Sequence, residues 1–306
     1  MKAILIAGPT GIGKSKLVSL LEKEIDSAVI NADAMQVYSS LRIITARPPN
    51  KPNYFLYGHV EDNANYSVGN WLKDVTHILE DLSKNSPDKI LIFVGGTGLY
   101  FNTLINGISY IPDVDPVIKS KSSELFQEHG IKYFLNALER FDQITFSSID
   151  KSNPRRVLRA WEVLKATGKP ISYFHQNRMP SLISAKETVK CVLKLKKPTL
   201  DHLNAERFRG MLSAGAIEEC ALALRNGMGP LSQSFKAIGV SEIANFLDGT
   251  AKLKDSEKKA IIRTRQYSKR QVTWFRNNFS DWKCYSLDEL NYSQISKKII
   301  TSIGKL

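Results

Sequence analysis

The chain has 306 residues, 42% hydrophobic and 24% charged, which is ordinary globular usage with length enough for one large domain and a smaller companion. Its formal net charge of +13 favours a polyanionic partner, because excess Lys and Arg bind phosphate backbones by releasing counterions. Cys191, Cys220 and Cys284 are far apart with no CxxC spacing, which indicates neither a disulfide framework nor a zinc site, and no stretch approaches the about 20 apolar residues that span a bilayer.

Residues 3–7 form a continuous apolar run bounded by Gly8, the pattern of a buried parallel strand. The apolar N-terminus is too short for a signal peptide, so a cytoplasmic protein is expected. Residues 14–25 carry helical spacing in Leu17, Leu20, Leu21 and Glu24. Between strand and helix lie Gly8, Pro9, Thr10, Gly11, Ile12, Gly13, Lys14 and Ser15. They fit GxxxxGK[ST] in full, in the strand-to-helix context that this nucleotide- and ATP-binding loop requires. Glycines let N–H groups turn inward around a diphosphate, the helix N-terminus adds partial positive charge, Lys14 supplies a point charge and the Ser15 hydroxyl suits Mg²⁺. Whether the diphosphate belongs to a nucleotide is not written in the loop.

A second strand is expected at 28–31, an amphipathic helix at 67–82 and a third strand at 89–94, closed by Gly95-Gly96-Thr97. ATPases and GTPases of this fold place a Mg²⁺-holding Asp at the end of such a strand; here none stands there. The carboxylate nearest the loop is instead Asp33, after the second strand. An Asp at a strand end serves as a helix cap or as a catalytic base, and both readings stand.

From 113 to 178 helical patterns follow one another at 122–129, 131–141 and 154–167. An alternating strand returns at 189–195, followed by helices over 201–225, 236–247 and 256–279. The expected fold is therefore α/β: a P-loop NTPase-like parallel sheet flanked by helices, with an inserted all-helical domain. The parts are a first core segment at 1–112, a helical insertion at 113–181 and a second core segment at 182–306 that ends in helices. In the last long helix Ile261, Ser268, Val272 and Phe275 make an apolar stripe for the core, Arg263, Arg270 and Trp274 lie on another face, and Lys269 and Arg276 on a third. A Trp within a basic face suits RNA stacking. His59, His77, His129, His175 and His202 are scattered and read as structural or surface residues.

Taken together, these segments resemble the tRNA dimethylallyltransferase family. GPTGIGKS at 8–15 is similar to its GPTxSGKT, NADAMQVY at 31–38 to SADSMQVY, and VGGTGLYF at 94–101 to the same string. NPRRVLRAWEV at 153–163 resembles NDPQRVxRAxEV, KAIGV at 236–240 its AxGY loop, and TRQYSKRQVTWFR at 264–276 its TRQxAKRQxTWxR. The matches keep the family's order from residue 8 to residue 276. Departures are Gly11-Ile12 in the loop, Ala34 beside the acid, Arg155 where Gln is typical, Lys119 where an Arg is usual, and 43–47 in place of DIGTAKP.

The resemblance implies a P-loop used without ATP hydrolysis, with dimethylallyl diphosphate in the loop and Mg²⁺ as cofactor. The group would pass to N6 of adenine 37 beside the anticodon of tRNA, with the inserted domain contacting the anticodon stem-loop and a monomer as the working unit. It implies Asp33 as general base, Thr97 holding the amine or leaving oxygen in line, and Arg207 near the leaving group; Thr10, Lys14 and Ser15 contact the diphosphate or its metal. The matching tRNA contacts are Asp33, Ala34, Met35, Gln36 and Thr97; Lys119, Arg155, Arg156, Val157, Leu158 and Arg159; and Lys236, Lys269, Arg270, Gln271, Trp274 and Arg276. Two other readings remain open from the residues alone: a P-loop kinase of a small metabolite with Arg155, Arg156 and Arg159 in a lid, and a non-catalytic RNA-binding protein.

Overall fold

The computed structural model describes residues 1–176 and 179–306; Asn177 and Arg178, at the end of the expected helical stretch, lie outside the described residues. Two compact units emerge, one of Met1–Ile105 with Leu182–Leu306 and one of Asn106–Ser181. The first junction falls where helix α3 ends and Gly107 turns with φ 69, seven residues ahead of the position read from the sequence.

In the first unit β1 (Ala3–Ala7) leads through the glycine loop into α1 (Lys14–Leu21). Next come β2 (Ser27–Asn31), the two-residue β3 (Tyr54–Phe55), α2 (Val68–Asn85), β4 (Ile90–Gly95) and α3 (Gly98–Asn106). The strand read as third is thus the fourth. All pairings are parallel, in the order β3-β2-β4-β1-β5-β6. Every residue of β1 and β2 is buried, as strands covered on both faces require. Because all strands point one way, the loops after β1, β2 and β4 open at the same edge, where ligands bind in such sheets.

The second unit is helical: α4 (Pro116–Phe141), α5 (Gln143–Ser148), α6 (Pro154–Thr167) and α7 (Ile171–Gln176). Non-helical Gly130 interrupts α4, which gives the two patterns at 122–129 and 131–141 their boundary. Asp115 and Asn153 cap α4 and α6 by accepting backbone N–H bonds, each with Pro in the first turn. Its core gathers Phe134, Leu138, Val157, Ala160 and Trp161.

The chain returns to the first unit with β5 (Thr188–Lys194), α8 (Lys197–Ser213), α9 (Ala216–Arg225), α10 (Val240–Leu247), α11 (Leu253–Asn278), β6 (Lys283–Ser286) and α12 (Tyr292–Gly304). The helix expected over 201–225 is two, divided at Gly215 with φ 100. The unanticipated α12 lays Ile295, Ile299 and Ile303 into one core with Leu17 and Leu21 of α1. A separate apolar cluster joins Leu41 and Ile44 to Phe208 of α8, Ala216 and Cys220 of α9, Val240 of α10 and Ala260 of α11. That cluster anchors the loop at 41–47 and the base of the helices that reach the P-loop.

Candidate active site

Gly11 and Gly13 hold φ of 78 and 82, a left-handed backbone that glycine adopts without steric penalty and that winds the loop into α1. Lys14 folds back so that its Nζ donates to Gly8 O at 2.8 Å and Pro9 O at 3.0 Å. Burial lowers its pKa to about 8, with the Asp33 charge opposing and Arg207 adding to the fall. Ile12 is buried in the core, so only its backbone can face an anion. Tyr292, where α12 begins, donates its phenol O–H to Ile12 O at 2.9 Å and braces the loop from outside. Ser15 is exposed in the first turn of α1.

Asp33 follows β2, one strand over from β4 and two from the P-loop strand. No helix follows it; its Oδ1 instead accepts the Met35 N–H at 3.0 Å, a local turn that displaces the helix-cap reading. Asn31 fixes this turn, its Oδ1 accepting the Asp33 N–H at 2.9 Å while its Nδ2 donates to the Asp33 and Leu56 carbonyls. Thr97 sits after β4 and accepts the Ala34 N–H at 2.9 Å through Oγ1. Burial raises the pKa of the Tyr57, Tyr100 and Tyr267 phenols, and the Asp33 charge is among the further causes for each. The acid thus stands among neutral phenols, with Lys14 and Arg207 both sensing its charge.

Arg207, on α8, donates to Thr10 Oγ1 at 2.7 Å and to Thr45 O at 3.3 Å. Burial lowers its pKa, partly opposed by Asp33. Thr45 is held in turn: Gln36 Nε2 donates to its carbonyl at 2.9 Å, and the Glu219 carboxylate accepts the Ile43 and Ile44 N–H groups at 2.6 and 2.9 Å. The loop that departs most from the family strings is therefore a clamp on Arg207.

On α11, the expected apolar stripe is partly different. Val272 is 44% exposed, and Gln271, only 6% exposed, takes the inward position between Ser268 and Phe275. Gln271 Oε1 accepts the Thr10 N–H at 2.9 Å, and Nε2 donates to Gly96 O at 2.8 Å. Both ends of its amide are engaged inside the protein, so this residue ties the P-loop to the β4–α3 turn. Trp274 lies over Gly98, where an added Cβ would fall 2.1 Å from the indole, and its ring meets Phe279 edge-on at 5.0 Å. Lys269, Arg270 and Arg276 are exposed. Lys269 and Arg270 line a groove of about 470 Å³ with Gln266, Thr273 and Trp274. Arg263, by contrast, pairs with buried Glu242 of α10. Lys236 is exposed at the end of the turn at Ser234–Lys236.

In the helical unit Arg155 and Arg156 are exposed in the first turn of α6, while Leu158, Arg159 and Lys119 are half-buried. Val157 is fully buried in that unit's core, so its side chain is a core residue and only its backbone is left for an RNA contact. An apolar side chain at i+3 and i+4 from the core positions Ala160 and Trp161 packs inward.

Sequence reasoning passed over Asn204, Tyr292 and the inward role of Gln271. The signal for Asn204 is the spacing of Leu200, Asn204 and Phe208, all buried on α8: a polar residue in the middle of an apolar stripe. Among the described residues no cluster of three or more His, Cys, Asp or Glu could hold a metal ion, and no helix is long and apolar enough to cross a membrane.

Comparison with known proteins bears on this geometry. Residues 36–278 match the profile of the IPP transferase family, and residues 1–53 that of isopentenyl transferases. The tRNA dimethylallyltransferase of Chelativorans sp. (strain BNC1) is 39% identical over 92% of the chain and 97% of its own length. That of Rhizobium etli (strain CIAT 652) is 40% identical over 91% and 95%. Among solved structures, a eukaryotic dimethylallyltransferase acting on tRNA superposes with a TM-score of 0.79 at 28% identity, covering 98% of this chain and 78% of that one. The tRNA delta(2)-isopentenylpyrophosphate transferase of Staphylococcus epidermidis gives 0.68 at 27% identity, covering 99% and 98%.

Proposed function

The chain belongs to the IPP transferase family, and from that footing we propose how its residues carry out the reaction. It is an enzyme that transfers a dimethylallyl group to tRNA. The donor in this reading is dimethylallyl diphosphate, seated by its diphosphate on the loop of residues 8–15, and the acceptor is N6 of adenine 37 beside the anticodon. One observation carries the reading: Arg207 is hydrogen-bonded to Thr10 of the loop and lies, with Lys14, within reach of the Asp33 charge at the strand ends, while β4 ends at Gly95 and is followed by Gly96 and Thr97 with no acid to support nucleotide hydrolysis.

An adenine amine is a weak nucleophile because its lone pair is delocalised into the ring, so its proton must leave as the new bond forms. Asp33 accepts that proton, the N6–C1 bond forms, the C1–O bond breaks and diphosphate departs. Thr97 keeps the Asp33 segment in place through the Ala34 N–H and has its own O–H left to donate. Charge gathering on the diphosphate meets the loop N–H groups, Lys14 and Arg207, which stabilise it more in the transition state than in the ground state. Arg207 is preorganised for this by Thr10 and the clamped Thr45 carbonyl. Extruding the base is cheapest from a single-stranded loop.

Mg²⁺ fits the same loop. Ser15 offers one exposed hydroxyl at the start of α1 that would hold the ion, the remaining ligands being left to substrate phosphate oxygens and water, as is usual for Mg²⁺. When bound it would neutralise part of the diphosphate charge. In this reading a monomer is the working unit, and a tRNA substrate suits a cytoplasmic enzyme. The test gives purified protein unmodified tRNA, Mg²⁺ and either labelled dimethylallyl diphosphate or γ-labelled ATP. Prenyl label should enter the RNA without phosphate release from ATP; ATP turnover with no prenyl transfer would overturn the reading.

A further inference from the structure

The buried carboxamide of Asn204 stands against the P-loop with neither of its polar atoms bonded. Asn204 is 2% exposed, and both Oδ1 and Nδ2 lack a hydrogen-bond partner within the protein. An added Cβ on Gly11 would fall 2.1 Å from its Oδ1 and 3.3 Å from its Nδ2, so whichever way the amide is turned, one end faces the loop. Buried polar groups are satisfied as a rule, and an orphaned one destabilises the fold that holds it. Asn204 occupies the middle of an apolar stripe, between Leu200 and Phe208, where an aliphatic side chain would pack without that penalty. One turn further along α8, Arg207 reaches Thr10 of the same loop.

Gln271 supplies the contrast. It is also a buried amide against the loop, yet both of its ends are bonded to the protein, at Thr10 and Gly96. One carboxamide builds the loop, and the other is left open beside it.

We propose that Asn204 is a further substrate-binding residue, whose N–H donates to a diphosphate oxygen when the P-loop is filled. The inference rests on the reading that the loop holds the diphosphate of the prenyl donor, and it assigns a neutral donor on α8 next to the charged one at Arg207. A neutral amide discriminates by geometry, so it recognises the diphosphate of donor and product without adding long-range attraction.

The test compares wild type with Asn204→Leu and Asn204→Asp. Calorimetry with inorganic diphosphate and Mg²⁺, KM for dimethylallyl diphosphate, KM for tRNA and melting temperature are read on each. Asn204→Leu should melt at or above wild type, because the orphaned amide is gone, yet bind diphosphate about tenfold more weakly, as expected for loss of one hydrogen bond to a charged acceptor. KM for the prenyl donor should rise in parallel while KM for tRNA holds. Asn204→Asp keeps the shape and sets a negative charge against the anion, so it should weaken diphosphate by more than the Leu variant. Unchanged diphosphate binding in both variants would overturn the role of Asn204 alone. Wild-type protein that binds no inorganic diphosphate would overturn the placement of the donor itself.

Discussion

Lys14 shows how strongly one residue depends on its surroundings. Burial brings its pKa to about 8 against an ordinary value of 10.5, with Asp33 pulling the other way. Lys14 should therefore begin to lose its proton in the mildly alkaline range, and a diphosphate seated on the loop as proposed, which favours the ammonium, should draw it back. Binding of inorganic diphosphate should take up part of a proton at pH 8.5, and affinity should fall as pH rises above about 8. Calorimetry in two buffers of different ionisation enthalpy reads this uptake; Lys14→Arg, which cannot titrate in that range, should lose the component. Equal uptake in wild type and Lys14→Arg would mean the proton comes from elsewhere. The identities of Asp33, Lys14 and Thr97 could be read from strings because each lies within a few residues of a strand end. The contact of Arg207 with Thr10 spans 197 positions, and the inward turn of Gln271 spans 261 to Thr10. Whether a polar side chain on a helix faces water or the core is set by the element packed against it, which local spacing does not contain.

At the scale of elements, α11 divides its labour by face. Gln271 and Phe275 point inward, Trp274 is braced over Gly98, and Lys269, Arg270 and Arg276 are exposed. The reading of this helix as an RNA element rests on that outer face. Replacing Lys269, Arg270 or Arg276 with Gln should weaken tRNA binding and reduce the slope of log affinity against log salt by roughly one unit per lost phosphate contact. Filter binding across a salt series measures it, and a slope unchanged in all three variants would remove α11 from the interface. The helical period and its phase were legible in this segment, with Ser268 and Phe275 inward as assigned, but one member was misplaced: Val272 is exposed, while Gln271 beside it is buried. The apolar character of Val272 suggested the stripe, and the polar loop that needed a partner decided it. β3 and β6 escaped notice because they are two and four residues long, too short for periodicity to register. α12 escaped because its Ile295, Ile299 and Ile303 stripe is embedded among Ser, Lys and Thr.

For the whole molecule, the alternation of strands and helices, the P-loop and the helical character of the insertion all follow from local pattern. The structure adds the parallel order β3-β2-β4-β1-β5-β6. That order sets β4 between the strands that precede Asp33 and the P-loop, so the Gly95-Gly96-Thr97 turn separates acid from loop, and Gln271 bonds across it to Thr10. Asp33 is thus positioned by the sheet, not by a helix it caps, and its removal should leave folding intact while stopping the chemistry. The decisive measurement pairs the melting temperature of Asp33→Ala with its single-turnover rate of dimethylallyl transfer to unmodified tRNA. The account predicts a melting temperature near wild type, tRNA affinity changed little and a rate lowered by roughly 10² to 10⁴, the range for loss of general-base help. A normal single-turnover rate in Asp33→Ala, at any melting temperature, would contradict it and place the base on another residue.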